Sequence, residues 1–416
     1  MTADDVVAAI VRAVDEERLV ATACDLIAIP SPTGQEEAAA DHLLDELAAA
    51  GCTVTRQEIE PGRANAVGRI RGSGDGPTLM FNGHLDTSYS GDEPWLTAPG
   101  FKPHPRVVEG AIVGLGIMNM KGAVACYVEA IRAIRDAGIR LAGDLVVAGV
   151  AGEIEKAEWG EEFRGAMFRG YGAGTRHLVS HGVVADAAVL GEPTEERLVL
   201  GHYGTMWVRL STHGPFFHTA FSAGRIEENS LVRMHRLLDD VLAWTSRWEE
   251  RGRYRSLPGV VNLGAIRGGF PWRVSRTPHR TDLFLDVRVP PTMGVEAAEA
   301  EIRTLIAELA SRHPEAELDW EVYVTAGGAE IDEDHPVVAA AAAAHEAVAG
   351  SPPDRAYVHW ASDASTLTRY GIPSLNYGPI SGALPGPEGE SVPIDSLVRM
   401  AASYALLAVD FCGVKP

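Results

Sequence analysis

A chain of 416 residues, 46% hydrophobic and 22% charged, has the composition of an ordinary soluble globular protein and is long enough for two cores. Its 36 basic and 57 acidic residues leave a net charge of −21, which argues against nucleic acid or an anionic membrane as a partner. The first residues show no basic segment ahead of an apolar run, and no stretch reaches the roughly 20 apolar residues of a membrane span. The four scattered cysteines form no Cys-x-x-Cys pair, so the expectation is a reduced, cytoplasmic protein without a signal peptide or a cysteine metal site.

Leu19, Ala23, Leu26 and Ile27 predict a helix over 15–27 that Pro30-Ser31-Pro32 ends. Thr33 and Glu36 have the spacing of a capping box for a second helix reaching residue 50, closed by Gly51. Short strands are expected over 53–57 and 64–69, then a buried one over 78–82, where Leu79, Met80 and Phe81 precede Gly83. A strand and turn over 110–116 and a helix over 118–137 follow. Next come a strand over 145–151 buried on both faces, a helix over 176–180 and a strand over 186–190. This alternation predicts an α/β domain with a mostly parallel sheet.

From Gly204 the rhythm changes. Strands over 206–212, 260–266, 282–289 and 317–324, with helices over 229–248 and 296–312, give the βαββαβ order of a ferredoxin-like unit. Helices over 336–348, 363–370 and 394–412 and a strand over 374–377 then restore the first pattern. The expected organisation is an α/β domain formed by 1–203 and 326–416, with a ferredoxin-like domain inserted over 204–325.

Polar residues collect where the strands end. His84 and Asp86 follow one strand, Glu153 and Glu155 the next, Glu192 a third, and Asn119 opens a helix. In a parallel sheet these carboxyl ends converge on one crevice. Imidazole and carboxylates gathered there suit a divalent metal beside a carboxylate base. Taken alone, His-x-Asp is more often a surface histidine beside a turn aspartate.

Gly83-His84-Leu85-Asp86-Thr87, Asn119-Met120-Lys121-Gly122, Gly152-Glu153, Gly191-Glu192-Pro193-Thr194 and Phe217-His218-Thr219-Ala220, in that order, resemble the acetylornithine deacetylase / succinyl-diaminopimelate desuccinylase / aminoacylase family of zinc amidohydrolases and exopeptidases. The resemblance spans nearly the whole chain and implies that the inserted domain is a lid and dimerisation domain. It implies His84 and Glu192 as ligands of one metal, Asp86 as the aspartate orienting His84, and Glu153 as general base. His218 resembles a histidine that stabilises the oxyanion in the partner's site of a homodimer. Arg288 and Asn229 resemble residues that hold the substrate's carboxylate, although Arg288 in Asp286-Val287-Arg288 also reads as one half of a surface ion pair.

Three positions depart from the family pattern. Asn119 stands where a bridging aspartate is expected, Ile154 where a second glutamate is expected, and residues 383–390 contain no histidine. Two dications about 3.5 Å apart repel by ~19 kcal/mol at an effective dielectric of about 20, and an asparagine brings no charge to offset this. The expectation is therefore at most one divalent metal, zinc by resemblance, on His84, Glu192 and Asn119. Glu155 and His359 are the candidate replacement ligands.

Three functions stay open. The first is hydrolysis of the C–N bond in an N-acyl amino acid or small peptide-like amide. The second is metal-free acid–base or amide-rearranging chemistry in the same pocket, and the third is a binding protein on a retired hydrolase fold.

Overall fold

The computed structural model describes residues 2–381 and 388–415, which form two compact units. The first comprises Met1–Leu200, Glu330–Ala356 and Ser362–Pro416; the second comprises Gly201–Ala329 and Tyr357–Ala361.

The first unit is built on a sheet in the order Thr53–Glu60, Arg63–Ile70, Leu145–Val150, Leu79–His84, Ala187–Leu190, Ser374–Asn376 and Leu198–His202. The apolar runs explain its centre. Leu79–His84 and Leu145–Val150 are buried along their whole length, as strands covered on both faces must be. They pair in parallel from Leu79↔Leu145 to His84↔Val150. On the other side Leu79–His84 pairs in parallel with Ala187–Leu190, ending at Asn82↔Leu190. This register brings the residues after the three strands to one level: His84, then Glu153, then Glu192.

Helix Gly122–Asp136 is buried from Gly122 through Ile134 and packs beside helix Ile394–Cys412. Under the sheet's centre Phe81 stacks on Tyr127 at 5.0 Å, a geometry that adds to the burial itself. The Tyr127 hydroxyl donates to the carbonyl of Asn82 at 3.0 Å.

Several expected elements change. The predicted capping box does not form: the helix is Glu37–Ala49, and Glu36 makes no side-chain cap. Instead the Thr33 hydroxyl donates to Asp86 Oδ2 at 2.8 Å, and Glu36 takes two bonds from Arg63 at 2.8 and 2.9 Å. A buried arginine and glutamate must find each other, and this pairing outcompetes the local cap. The helix expected from 118 begins at Gly122, because Asn119 and Met120 have non-helical angles within the turn Ile117–Lys121. The region over 110–116 is a hairpin, Arg106–Val108 with Ala111–Val113, joined by Ser391–Pro393. Helix Ala3–Ala13 and strands Leu198–His202 and Arg355–Val358 have no counterpart in the predicted elements.

The second unit is an antiparallel sheet in the order Val261–Gly268, Arg280–Val289, Gly204–His213, Asp319–Ala326, with helices Ser230–Arg251 and Val295–Arg312. Alternation sets its core: Met206, Val208 and Leu210 face inward with Leu283, Leu285, Val287 and Val289. Against them pack Met234, Leu237, Val241, Trp244 and Trp248 from one helix, and Ile302, Leu305 and Leu309 from the other. Each such side chain contributes about 1.5–3 kcal/mol by leaving water.

Candidate active site

The site is assembled from His84 outward. Nε2 of His84 lies 2.9 Å from Asn119 Oδ1, 3.8 Å from Glu153 Oε2 and 4.0 Å from Glu192 Oε1. On the ring's other side Nδ1 lies 2.9 Å from the Asp86 carbonyl and 3.5 Å from its Oδ1. Asp86 is fully buried and also accepts from the backbone N–H groups of Glu153 at 3.0 Å and Ile154 at 3.2 Å. One aspartate thus fixes the histidine ring and the turn that carries Glu153. That turn needs glycine: Gly152 has φ +66°, and a Cβ there would lie 2.1 Å from Arg63 Nη2.

Two carboxyls that join this neighbourhood were not among the predicted site residues. Asp363 is buried and accepts from the Thr175 hydroxyl at 2.6 Å. Glu390 Oε2 accepts the backbone N–H groups of Gly116 at 2.9 Å, Met118 at 3.1 Å and Asn119 at 3.4 Å. Glu390 therefore holds the loop that presents Asn119. The signal for Asp363 was the same as for the other acids, a carboxyl following a strand end, but its strand went unrecognised.

The electrostatics follow from too many acids around one imidazole. Burial opposes charge on His84, yet Asp86, Glu153 and Glu192 hold its pKa well above the ordinary imidazole range. Burial pushes Glu153 well above the usual carboxylate range; His84 opposes this, and Glu192, Asp363 and Asp86 add to it. Burial likewise lifts Glu192 to about 7 and Asp363 to about 6. Glu390 is lifted to about 7, again by burial, against three backbone donors. Asp86, by contrast, stays below its ordinary value: burial raises it, but its bonds to His84 and the turn outweigh that.

Such a pocket fits one divalent cation. Among the described residues, the group of metal-type ligands that gathers is His84, Glu153 and Glu192, with ligand atoms within 4.8 Å of one another. Asn119 Oδ1 adds a neutral donor on the same side as His84 Nε2. Carboxyls held above their ordinary pKa are groups that a cation would ionise. A second metal is less well served. Ile154 brings no ligating side chain, its backbone N–H is given to Asp86 and its carbonyl accepts from Lys156 and Tyr171. Residues 383–390, where a family histidine is expected, contain none, 382–387 lying outside the described residues. Neither Glu155 nor His359 belongs to the group; His359 Nε2 instead donates to the carbonyl of Pro258 at 2.9 Å.

In the second unit, His218 is half-buried and its Nδ1 accepts from the N–H of Ala220 at 3.1 Å. Asn229 caps helix Ser230–Arg251, its Oδ1 accepting from Leu231 at 2.9 Å. Arg288 is half-buried and paired with Asp286 at 2.8 Å.

Residues 80–410 match the model of peptidase family M20/M25/M40. A deformylase of N-formyl-4-amino-5-aminomethyl-2-methylpyrimidine from Bacillus subtilis is 26% identical over 391 residues, covering 88% of this chain and 87% of that protein. A succinyl-diaminopimelate desuccinylase of Rhodospirillum centenum is 27% identical over 406 residues, covering 95% and 98%. Among solved structures, a tripeptidase from Staphylococcus aureus gives a TM-score of 0.74 at 20% identity over 96% of this chain and 99% of that one. The di-peptidase Dug1p of Saccharomyces cerevisiae gives 0.75 at 13% identity over 98% of each chain. These structural likenesses carry the fold.

Proposed function

The chain belongs to peptidase family M20/M25/M40, whose hydrolases act on amide and peptide C–N bonds, and from that premise we propose that it cleaves the C–N bond of an N-acyl amino acid or small peptide-like amide with one divalent cation. His84, Glu192 and Asn119 would hold the cation, zinc by the family resemblance, and Glu153 is the general base. The observation that carries this reading is the position of Glu153. Its carboxyl faces His84 Nε2 at 3.8 Å, largely shielded from solvent, on a turn fixed by Asp86. The relatives point to the same substrate class, since one is named a deformylase and the other a desuccinylase.

A divalent cation at these residues supplies a Lewis acid that polarises a carbonyl and lowers the pKa of water. The chain's own residues do the rest. Glu153 orients the attacking water, takes its proton and passes it to the leaving amine. Asp86 keeps His84 Nδ1 protonated, so that Nε2 presents its lone pair. His218 donates to the oxyanion, and Arg288 with Asn229 holds the substrate's carboxylate, roles taken from the family resemblance. The Asn229 Oδ1 is used in the helix cap, which leaves its amide N–H groups as donors. A homodimer through the inserted unit is part of the same proposal, and sedimentation as a strict monomer would remove His218 from the mechanism.

The test is hydrolysis of a panel of N-acyl amino acids, with and without a chelator. Turnover abolished by chelation and restored by zinc is the expected result. Chelator-resistant turnover that Glu153→Gln abolishes would instead favour metal-free acid–base chemistry by the His84–Glu153 pair.

A further inference from the structure

A cavity of about 490 Å³ opens in the first unit, lined among others by Ile70, Ile131, Ile134, Ile139, Leu141 and Leu145. It lies at the far end of the sheet from His84. Leu145 pairs with Ile70 at one end of its strand, while Val150, at the other end, pairs with His84. Five residue steps along the strand separate the two, ~16 Å at about 3.3 Å per residue.

Four cationic side chains share this lining, Arg71, Arg135, Arg140 and Lys415, and among the described residues no carboxylate does. In a chain of net charge −21 that local excess is the reverse of the average surface. Two of the four are placed by backbone pairing: the N–H of Lys415 donates to the Arg140 carbonyl at 2.9 Å, and Leu141 bridges Val414. Neither Arg140 nor Lys415 has an ion-pair partner among the described residues. Arg71 is only partly compensated, because its partner Asp144, at 3.2 Å, also serves Arg69 at 3.0 Å. Arg135 pairs with Asp136, which in turn is shared with Arg18. Like charges lining one cavity over an apolar floor repel unless an anion joins them.

We infer that this cavity binds a small amphipathic anion, with its carboxylate or phosphate head among Arg140, Lys415, Arg71 and Arg135 and its apolar body on the isoleucine and leucine floor. The volume suits a small organic molecule. The two unpaired cations give the head its charge complement, and the buried side chains give the tail a dry surface. The site is separate from the His84 pocket and does not depend on the reaction proposed there.

Calorimetric titration of octanoate, octyl phosphate and octanol into the full chain tests this. The expected result is saturable binding of an anion, ~10-fold or more tighter than octanol, and the tighter anion identifies the head group. The double variant Arg140→Glu, Lys415→Glu, changed only on exposed surface, should weaken binding ~10-fold or more. Ser73→Trp, placed on an exposed loop of the lining, should abolish it while all four cations remain. Unchanged unfolding midpoints of both variants would exclude misfolding as the cause. Octanol binding as tightly as the anions, no saturable binding, wild-type affinity in either variant, or loss of binding in His84→Ala instead would overturn the inference.

Discussion

The backbone N–H of Glu153 donates to Asp86 Oδ1 at 3.0 Å, so the aspartate that backs His84 also anchors the carboxylate opposite it. Asp86 further accepts from Ile154 and Thr33. Asp86→Ala would leave these donors unpaired in a fully buried position. The expected cost is ~3–5 kcal/mol of stability, read from urea unfolding, together with loss of hydrolysis. A cost below ~1 kcal/mol would mean that the turn is held by something else.

Glu153→Gln keeps the side chain's shape and removes its ability to take a proton. If Glu153 is the base, kcat falls by ~10²–10⁴, with metal content and unfolding midpoint retained. Because the turn is held through the residue's backbone and not its carboxyl, stability should hardly change. A variant that keeps most of its kcat would shift the base elsewhere.

Metal affinity should depend on pH. Burial lifts Glu192 to about 7, and His84 is held well above its ordinary range by Asp86, Glu153 and Glu192. A cation held by these two residues must displace their protons, so affinity falls as the pH drops through 7, by up to tenfold per unit for each proton displaced. Zinc titrations at several pH values, with proton release followed in weak buffer, would show this. A flat profile with no proton release would contradict the ligand set.

A second titration belongs to His202, at the end of strand Leu198–His202, where the second unit begins. His202 is buried, and burial lowers its pKa from 6.5 to about 4, with Arg288 adding to the shift. As the pH falls, the unfolded chain takes up this proton first. Stability is therefore full above about 6.5, is lost between about 6.5 and about 4, and is level below, a total of ~3 kcal/mol. His202→Phe should flatten that acid limb. Trp244 and Trp248 in the core of the second unit offer a fluorescence readout, and an unchanged limb would place the acid sensitivity elsewhere.

What the sequence made legible was set by how local each signal is. The apolar runs ending at Gly83, at Gly152 and at Gly191 showed three strands finishing in polar residues. Parallel pairing then does the rest, since register alone brings His84, Glu153 and Glu192 level. Asp363 escaped because its strand, Arg355–Val358, is four residues long and partly exposed, and because its partner Thr175 lies 188 residues away. Thr33 and Glu36 misled for the same reason. Their spacing matches a local cap, but the winning partners, Asp86 and Arg63, are 53 and 27 residues distant. Charge pairing across the fold leaves no periodic trace in the chain.

The central claim is one cation on His84, Glu192 and Asn119. Metal content per chain, after purification without chelator and re-equilibration with zinc, tests it on wild type and on His84→Ala. About one metal per chain, lost in the variant, is the predicted result. Two per chain would mean that Asn119 and Ile154 do not preclude a second site, and none would move the chemistry to a metal-free His84–Glu153 pair.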